Sequence, residues 1–230
     1  MEFAAPDSTR ADITTIWWVD ADTGETGPIF RDTQLPGFSP RWSGDGRWLS
    51  YTSPGTTGVQ LYNLEDGRTL NLPTMTGAPA LWHPTLPVLL MTDVKPVGDL
   101  YLTHLLHFDV ESGALTDLTG DDDSLEDGAA AWSPDGRWIA ITRRSLAGSN
   151  LSPGNDIWLI RPDGSEARRI TQTEGILYQA PVWSPDGSHL LVARYTLADE
   201  WPEPQIWLVN VKTGGMREVI EPGNNPLWLP

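Results

Sequence analysis

The chain has 230 residues, 39% of them hydrophobic and twelve of them tryptophan, a makeup far from that of a disordered acidic segment. Its formal charge is −16, and its only lysines are Lys95 and Lys212, which disfavours nucleic acid and anionic lipid as partners because basic groups make most phosphate contacts. Cysteine is absent, so disulfides, thiolate nucleophiles and cysteine metal sites are excluded.

The opening segment Met1 to Asp7 lacks a basic stretch followed by an apolar one, so no secretory leader is read there. No apolar run approaches the roughly 20 residues that a membrane-spanning helix needs, and no direct membrane insertion is expected. The first segment with strand character is Thr14 to Asp20, followed by a turn at Ala21 to Gly24 and by Pro28-Ile29-Phe30. It reads as the third strand of a four-stranded unit, its turn and part of a fourth.

A pattern then begins to recur. Pro40-Arg41-Trp42-Ser43-Gly44-Asp45-Gly46-Arg47-Trp48-Leu49 is matched by Ala131 to Ala140 and by Pro181 to Leu190, and in altered form by Ala80-Leu81-Trp82-His83-Pro84. The anchoring tryptophans Trp42, Trp82, Trp132 and Trp183 are 40, 50 and 51 residues apart, and Trp228 follows after 45 more. Periods of this size belong to modules that cannot bury their own apolar faces and must stack on neighbours.

The third repeat shows how one module is built. Ala131-Trp132 ends a first strand and Ser133-Pro134-Asp135-Gly136 makes a tight turn. There proline presets φ, aspartate accepts local backbone hydrogen bonds and glycine takes the positive φ that follows. Arg137 to Thr142 is the second strand, Ile157 to Ile160 the third and Glu166 to Thr171 the fourth. The third strands, here and at Gln60 to Leu64, Tyr101 to Val110 and Gln205 to Val209, are apolar on consecutive residues, as expected when both faces of a small sheet are covered.

The motifs Trp42-Ser43-Gly44-Asp45-Gly46, Trp132-Ser133-Pro134-Asp135-Gly136 and Trp183-Ser184-Pro185-Asp186-Gly187, each followed by an apolar strand, resemble the WD40-like β-propeller repeat of TolB-type proteins. The resemblance covers almost the whole chain and implies an all-β fold, a β-propeller of four-stranded antiparallel blades around a central channel. Repeat two departs from it: His83-Pro84-Thr85-Leu86-Pro87 replaces the Ser-Pro-Asp-Gly turn, so an altered first hairpin is expected. Similar blades occur in binding proteins, in noncatalytic portions of larger serine peptidases and in sensor ectodomains, so the resemblance does not fix a function. It also implies a periplasmic or extracellular setting.

Counting strands places full blades at 38–78, 79–121, 128–173 and 179–221, with partial blades at 14–34 and 225–230. If the two ends meet, a fifth blade forms without its second strand. The alternative is a segment of a larger propeller, or one completed by another chain, with self-association at the incomplete blade.

Long, nonrepetitive loops gather on one face, at residues 120–128, 143–155, 173–179 and 198–204, and nominate that face for binding. Tyr178 and Trp201 are its candidate aromatic anchors, and Arg143 and Arg144 its candidate polar contacts. The expected partner is a protein or peptide, in keeping with a noncatalytic binding module. A saccharide or other small polar solute is the alternative. Asp121-Asp122-Asp123 with Glu126-Asp127 is a candidate calcium site, although it lacks the ordered spacing of an EF-hand loop. No Gly-x-Ser-x-Gly elbow or His-Glu-x-x-His motif is present, and the recurrent aspartates read as turn residues, so neither a catalytic residue nor a cofactor is nominated.

Overall fold

The computed structural model describes residues 3–6, 14–30, 36–146, 154–198 and 203–228. They form β-strands and turns throughout, arranged as five antiparallel sheets. The first contains β1 (Phe3–Pro6), β2 (Thr14–Val19) and β3 (Thr26–Pro28), in that order. The second contains β4 (Phe38–Trp42), β5 (Trp48–Thr52), β6 (Val59–Asn63) and β7 (Thr69–Leu72). The third contains β8 (Leu81–Trp82), β9 (Val88–Val97), β10 (Leu100–Asp109) and β11 (Leu115–Asp117). The fourth contains β12 (Leu125–Trp132), β13 (Ile139–Ser145), β14 (Asp156–Ile160) and β15 (Arg168–Arg169). The fifth contains β16 (Ile176–Trp183), β17 (His189–Thr196), β18 (Gln205–Asn210) and β19 (Met216–Ile220).

The four complete sheets run as simple meanders, so each is a propeller blade with its earliest strand innermost. They are called blades one to four below. The core lies between blades. Leu90 and Leu105 of blade two pack against Ile139, Ile141 and Ile160 of blade three, and Ala140, Ile157 and Leu159 pack against Tyr178, Leu190 and Val192 of blade four. Blade three is thereby covered on both faces, as are blades one and two by the clusters around Leu61 and Leu89 and around Ile16 and Leu49, which accounts for the unbroken apolar runs of their third strands. The innermost strands β4, β12 and β16 each carry a bulge, at Phe38/Arg41, Asp127/Ala130 and Gln179/Val182. Each bulge bends the strand where it turns along the channel.

Two expectations about the ends need correction. The N-terminal sheet does have a second strand: Phe3–Pro6 pairs with β2 in antiparallel register, Ala4 opposite Ile16. Leu227 and Trp228, expected to start a strand, lie in irregular backbone, and Leu229 is outside the described residues. Trp228 nonetheless packs on the face of blade four formed by Leu191, Ala193 and Ile206. Among the described strands, the N-terminal sheet touches blade one through β4 and makes no contact with blade four.

One contact repeats around the channel. The indole N–H of Trp82 donates to the carbonyl of Arg41, that of Trp132 to Leu81, that of Trp183 to Ala131 and that of Trp228 to Val182, at 3.0–3.2 Å. Each acceptor is the residue just before the tryptophan of the preceding blade. Trp42 has no such partner among the described residues and is 45% exposed.

Candidate functional site

The long-loop face is built at the start of β12 and the end of β13, which pair Asp127 with Arg143 and Glu126 with Arg144. The Asp127 carboxylate is fully buried and accepts from Arg143 Nε and Nη2, both at 2.6 Å, and from the Thr119 hydroxyl at 2.8 Å. That hydroxyl also accepts the backbone N–H of Leu105, so the network ties blade two to blade three. Arg143, 8% exposed, is thus committed to a structural pair rather than offered to a ligand. Its neighbour Arg144 points outward, 39% exposed, and bonds Glu126, whose other oxygen receives the backbone N–H and hydroxyl of Thr103 at 3.3 Å. Thr103, Glu126, Thr142, Arg144, Asn155 and Leu177 line a cleft of about 220 Å³.

Of the three described residues among those singled out by sequence, only Arg144 lines this cleft. Tyr178 is fully buried in the core between blades three and four, its hydroxyl 2.8 Å from that of Thr173, so it presents no surface to a ligand. It pairs opposite Arg194 as Asp127 pairs opposite Arg143, and so fills the station that Asp127 fills one blade earlier. Trp201 lies outside the described residues. The acidic loop is dispersed by its own bonding: Asp127 pairs with Arg143, Glu126 with Arg144, and Asp122 accepts from the Ser124 hydroxyl and N–H. Asp121 stands in solvent 3.9 Å from Lys95 Nζ. Among the described residues no three metal-ligating side chains converge, and the candidate calcium cluster is not assembled.

The opposite face carries the short turns. Ser43, Ser133 and Ser184 each donate to the aspartate two residues on at 2.6 Å and accept the backbone N–H five residues on at 2.9–3.0 Å. These bonds favour the ionised carboxylate: the Ser133 hydroxyl lowers the pKa of Asp135, and Ser184 and Ser188 bring that of Asp186 down to about 2. The aspartates are turn hardware, as their recurrence implied.

Repeat two builds its turn differently. His83 Nδ1 accepts the N–H groups of Thr85 and Leu86, at 3.2 and 3.1 Å. The proton therefore sits on Nε2, which donates to the carbonyl of Gly136 in blade three at 3.2 Å. Burial lowers the pKa of His83 and holds the ring neutral. Beside it, between blades two and three, opens a cleft of about 580 Å³ whose walls include His83, Leu86, His107, Trp132, Arg137 and Arg161. The indoles of Trp42, Trp82, Trp132 and Trp183 border a separate recess of about 540 Å³ where the inner strands end. Sequence reading nominated none of these short-turn residues. The visible signal was the break in the repeat at His83-Pro84-Thr85-Leu86-Pro87.

No protein-family model matches the chain, and no curated protein sequence does. Solved structures do. An oligogalacturonate lyase in complex with manganese is 19% identical over 89% of this chain and 58% of its own, with a TM-score of 0.60. TolB from Acinetobacter baumannii is 18% identical over 94% of this chain and 51% of its own, at 0.58. The β-propeller domain of the Trilobed protease from Pyrococcus furiosus, described as an open velcro topology, is 14% identical over 96% and 65%, at 0.64. The chain therefore spans between about half and two thirds of the length of these structures. At such identities the likeness speaks to architecture, and with the blade order and the recurrent Trp-Ser-x-Asp-Gly turn it leads to one conclusion: the chain folds as a TolB-like β-propeller.

Proposed function

We propose that the chain is a noncatalytic binding propeller that recognises a protein or peptide through its long-loop face. The observation that supports this reading is the buried Asp127–Arg143 pair set directly behind the outward Glu126–Arg144 pair. A buried ion pair adds little net stability, because desolvation offsets its attraction, but removing one partner costs about 3–5 kcal/mol. What it supplies is a fixed wall, on which Arg144 and Glu126 offer one charge of each sign to a peptide's backbone and side chains. The net charge of −16 favours a partner carrying basic residues, chiefly by speeding encounter. The same reading holds for a propeller serving as the noncatalytic portion of a larger peptidase.

Selection from a random peptide library displayed on phage tests it. Basic peptides are expected, and Arg144→Ala and Trp201→Ala are each expected to weaken them at least tenfold, about 1.4 kcal/mol. Hydrogen exchange protection on binding should fall at residues 120–128 and 173–179. Protection confined to the short-turn face would reject the assignment of the face. A small polar solute or saccharide is the second reading, favoured by the modest cleft of about 220 Å³ and the Thr103, Glu126, Thr142, Arg144 and Asn155 side chains that line it. It is preferred if a glycan array binds and the library does not.

A further inference from the structure

The seam between blades two and three differs from its neighbour in one tie. Across the seam between blades one and two, Arg47 bonds Asp45 Oδ2 at 2.7 Å and reaches Glu111 of blade two at 2.5 Å. Arg47 is the residue after the turn glycine, and its carbonyl accepts the N–H of Leu64 just as the Pro87 carbonyl accepts that of Val110. Proline therefore stands in blade two where blade one has its tying arginine, and Leu86, 51% exposed, stands where it has Gly46. With no ion pair of that kind, the seam between blades two and three stays open as the cleft of about 580 Å³.

Blade three does have the arginine, Arg137, directly after Gly136. Its expected partner in blade four is found by register. The N–H of Glu111 bonds the Asp109 carboxylate, and the N–H of Lys212 bonds the Asn210 side chain in the same way, so Lys212 occupies the station of Glu111. A cation cannot pair with a cation. Among the described residues, no side-chain hydrogen bond or ion pair holds the Arg137 guanidinium, and Arg137 lines the open cleft instead. Asp135, its potential partner within the turn, directs Oδ1 to the Ser133 hydroxyl and the Arg137 N–H.

Three carboxylates share the lining, but Asp135 is bonded as described, Asp163 accepts from the Ser165 hydroxyl and N–H, and Glu166 holds Arg161; the rest of the wall is largely apolar and aromatic. The His83 ring meets Trp132 edge-on with centroids 4.8 Å apart, and His107 lies 6.3 Å from the same indole. His83 has spent both ring nitrogens on backbone groups, so it offers the cleft a carbon edge rather than a charge. The second arginine in the cleft, Arg161, is stacked 3.8 Å over Trp138 and bonded to Glu166, which leaves Arg137 as the cation available to a ligand.

We infer that this seam binds a small apolar carboxylate, its acid group paired bidentately with Arg137 and its apolar body laid against Trp132, His83 and Leu86. The position of Arg137 already has a precedent in this molecule, since its equivalent Arg47 gathers two carboxylates. The site lies on the face opposite the peptide surface proposed above and stands independently of it. The ligand is either a free aromatic acid or the C-terminal residue of a peptide, two sources of one chemistry.

Titration of the full chain by calorimetry, with indole-3-propionate and its amide, and with Ala-Ala-Trp and its C-terminal amide, tests the inference. The free acid, the free-ended tripeptide or both should bind, each at least tenfold more tightly than its amide, and whichever binds identifies the source. Arg137→Gln should weaken binding at least tenfold with an unchanged thermal midpoint. Lys212→Glu should weaken it too, by giving Arg137 the partner that Glu111 is to Arg47. Equal binding of acid and amide, an unchanged affinity in Arg137→Gln, or no binding of either acid overturns the inference.

Discussion

At the residue scale, Gly136 does two things that most turn glycines do not combine. Its φ is 69°, in the left-handed region, and a Cβ there would lie 2.0 Å from His83 Nε2. Gly46, at the same turn position in blade one, has φ 72° and open space where its Cβ would be. Gly46→Ala should therefore cost about 1 kcal/mol, the conformational penalty alone, whereas Gly136→Ala should cost more than about 2 kcal/mol because the His83 bond is lost as well. Urea unfolding of the two variants checks the difference, and equal costs would show that His83 yields without loss. The need for glycine in both turns was legible in the sequence, because the Asp-Gly pair recurs in register. What separates them was not, since it depends on a histidine more than fifty residues away that the fold brings across a seam. Tyr178 failed as an anchor for a related reason: an aromatic residue beside a long loop reads as exposed, yet at the station of Asp127 it becomes core.

At the scale of the strand, the indole bonds divide the inner tryptophans into two kinds. Trp132→Phe keeps an aromatic ring, though a smaller one, and removes a donor from the Leu81 carbonyl; it should cost about 1–2 kcal/mol. Trp42→Phe removes no such bond and should cost under about 0.5 kcal/mol, again by urea unfolding. Similar losses at both would mean that Trp42 finds an acceptor in solution, as closure of the ring or association of two copies would provide; sedimentation of the wild type would separate these. The repeated tryptophan announced an equivalent environment in every blade. It did not announce that the indole is spent on the neighbouring blade's backbone, because hydrogen bonding between blades leaves no trace in the period of the residues. Nor did the strand count reveal β1, whose Phe-Ala-Ala-Pro carries none of the alternation or turn chemistry that marks the other strands.

For the whole molecule, acidification should act in two stages. Burial lowers the pKa of His83 and of His107 below 6.5, so the folded state binds fewer protons than the unfolded chain once the pH falls below that value. Their contribution is complete above about pH 6.5 and is lost as the pH drops through the folded values. The turn aspartates behave likewise from a lower start: Asp135 and Asp186 are held below 3.8 by serine hydroxyls, and their stabilisation, present above that value, disappears as the pH falls toward about 2. The urea midpoint in 0.15 M salt should therefore decline modestly between pH 6.5 and 5 and steeply below pH 4. At pH 7, added salt should raise it, since screening relieves the mutual repulsion behind a net charge of −16. A midpoint that rises on acidification would show that this repulsion outweighs the histidines and turn carboxylates. The acidic surface and the blade architecture were both plain in the sequence. The strand count also raised an incomplete ring; the seam clefts were not legible, because they follow from how neighbouring blades meet rather than from any one repeat.

The tryptophan ladder also has a direction. Every rung runs from a later blade to an earlier one, always from an indole to the residue ahead of the previous indole, so the contact contains no information about which blade it joins. A blade copied whole, from one tryptophan to the next, would present the same donor behind and the same acceptor ahead, and the coupling would continue without renegotiating any other contact around the channel. The interfaces that do tell blades apart are the seams, where Arg47 finds Glu111, Arg137 lines an open cleft, and His83 reaches Gly136. The inner ring thus behaves as a uniform coupling that tolerates addition and loss of modules, while individuality is confined to the periphery, where it can change from seam to seam without unsettling the axis.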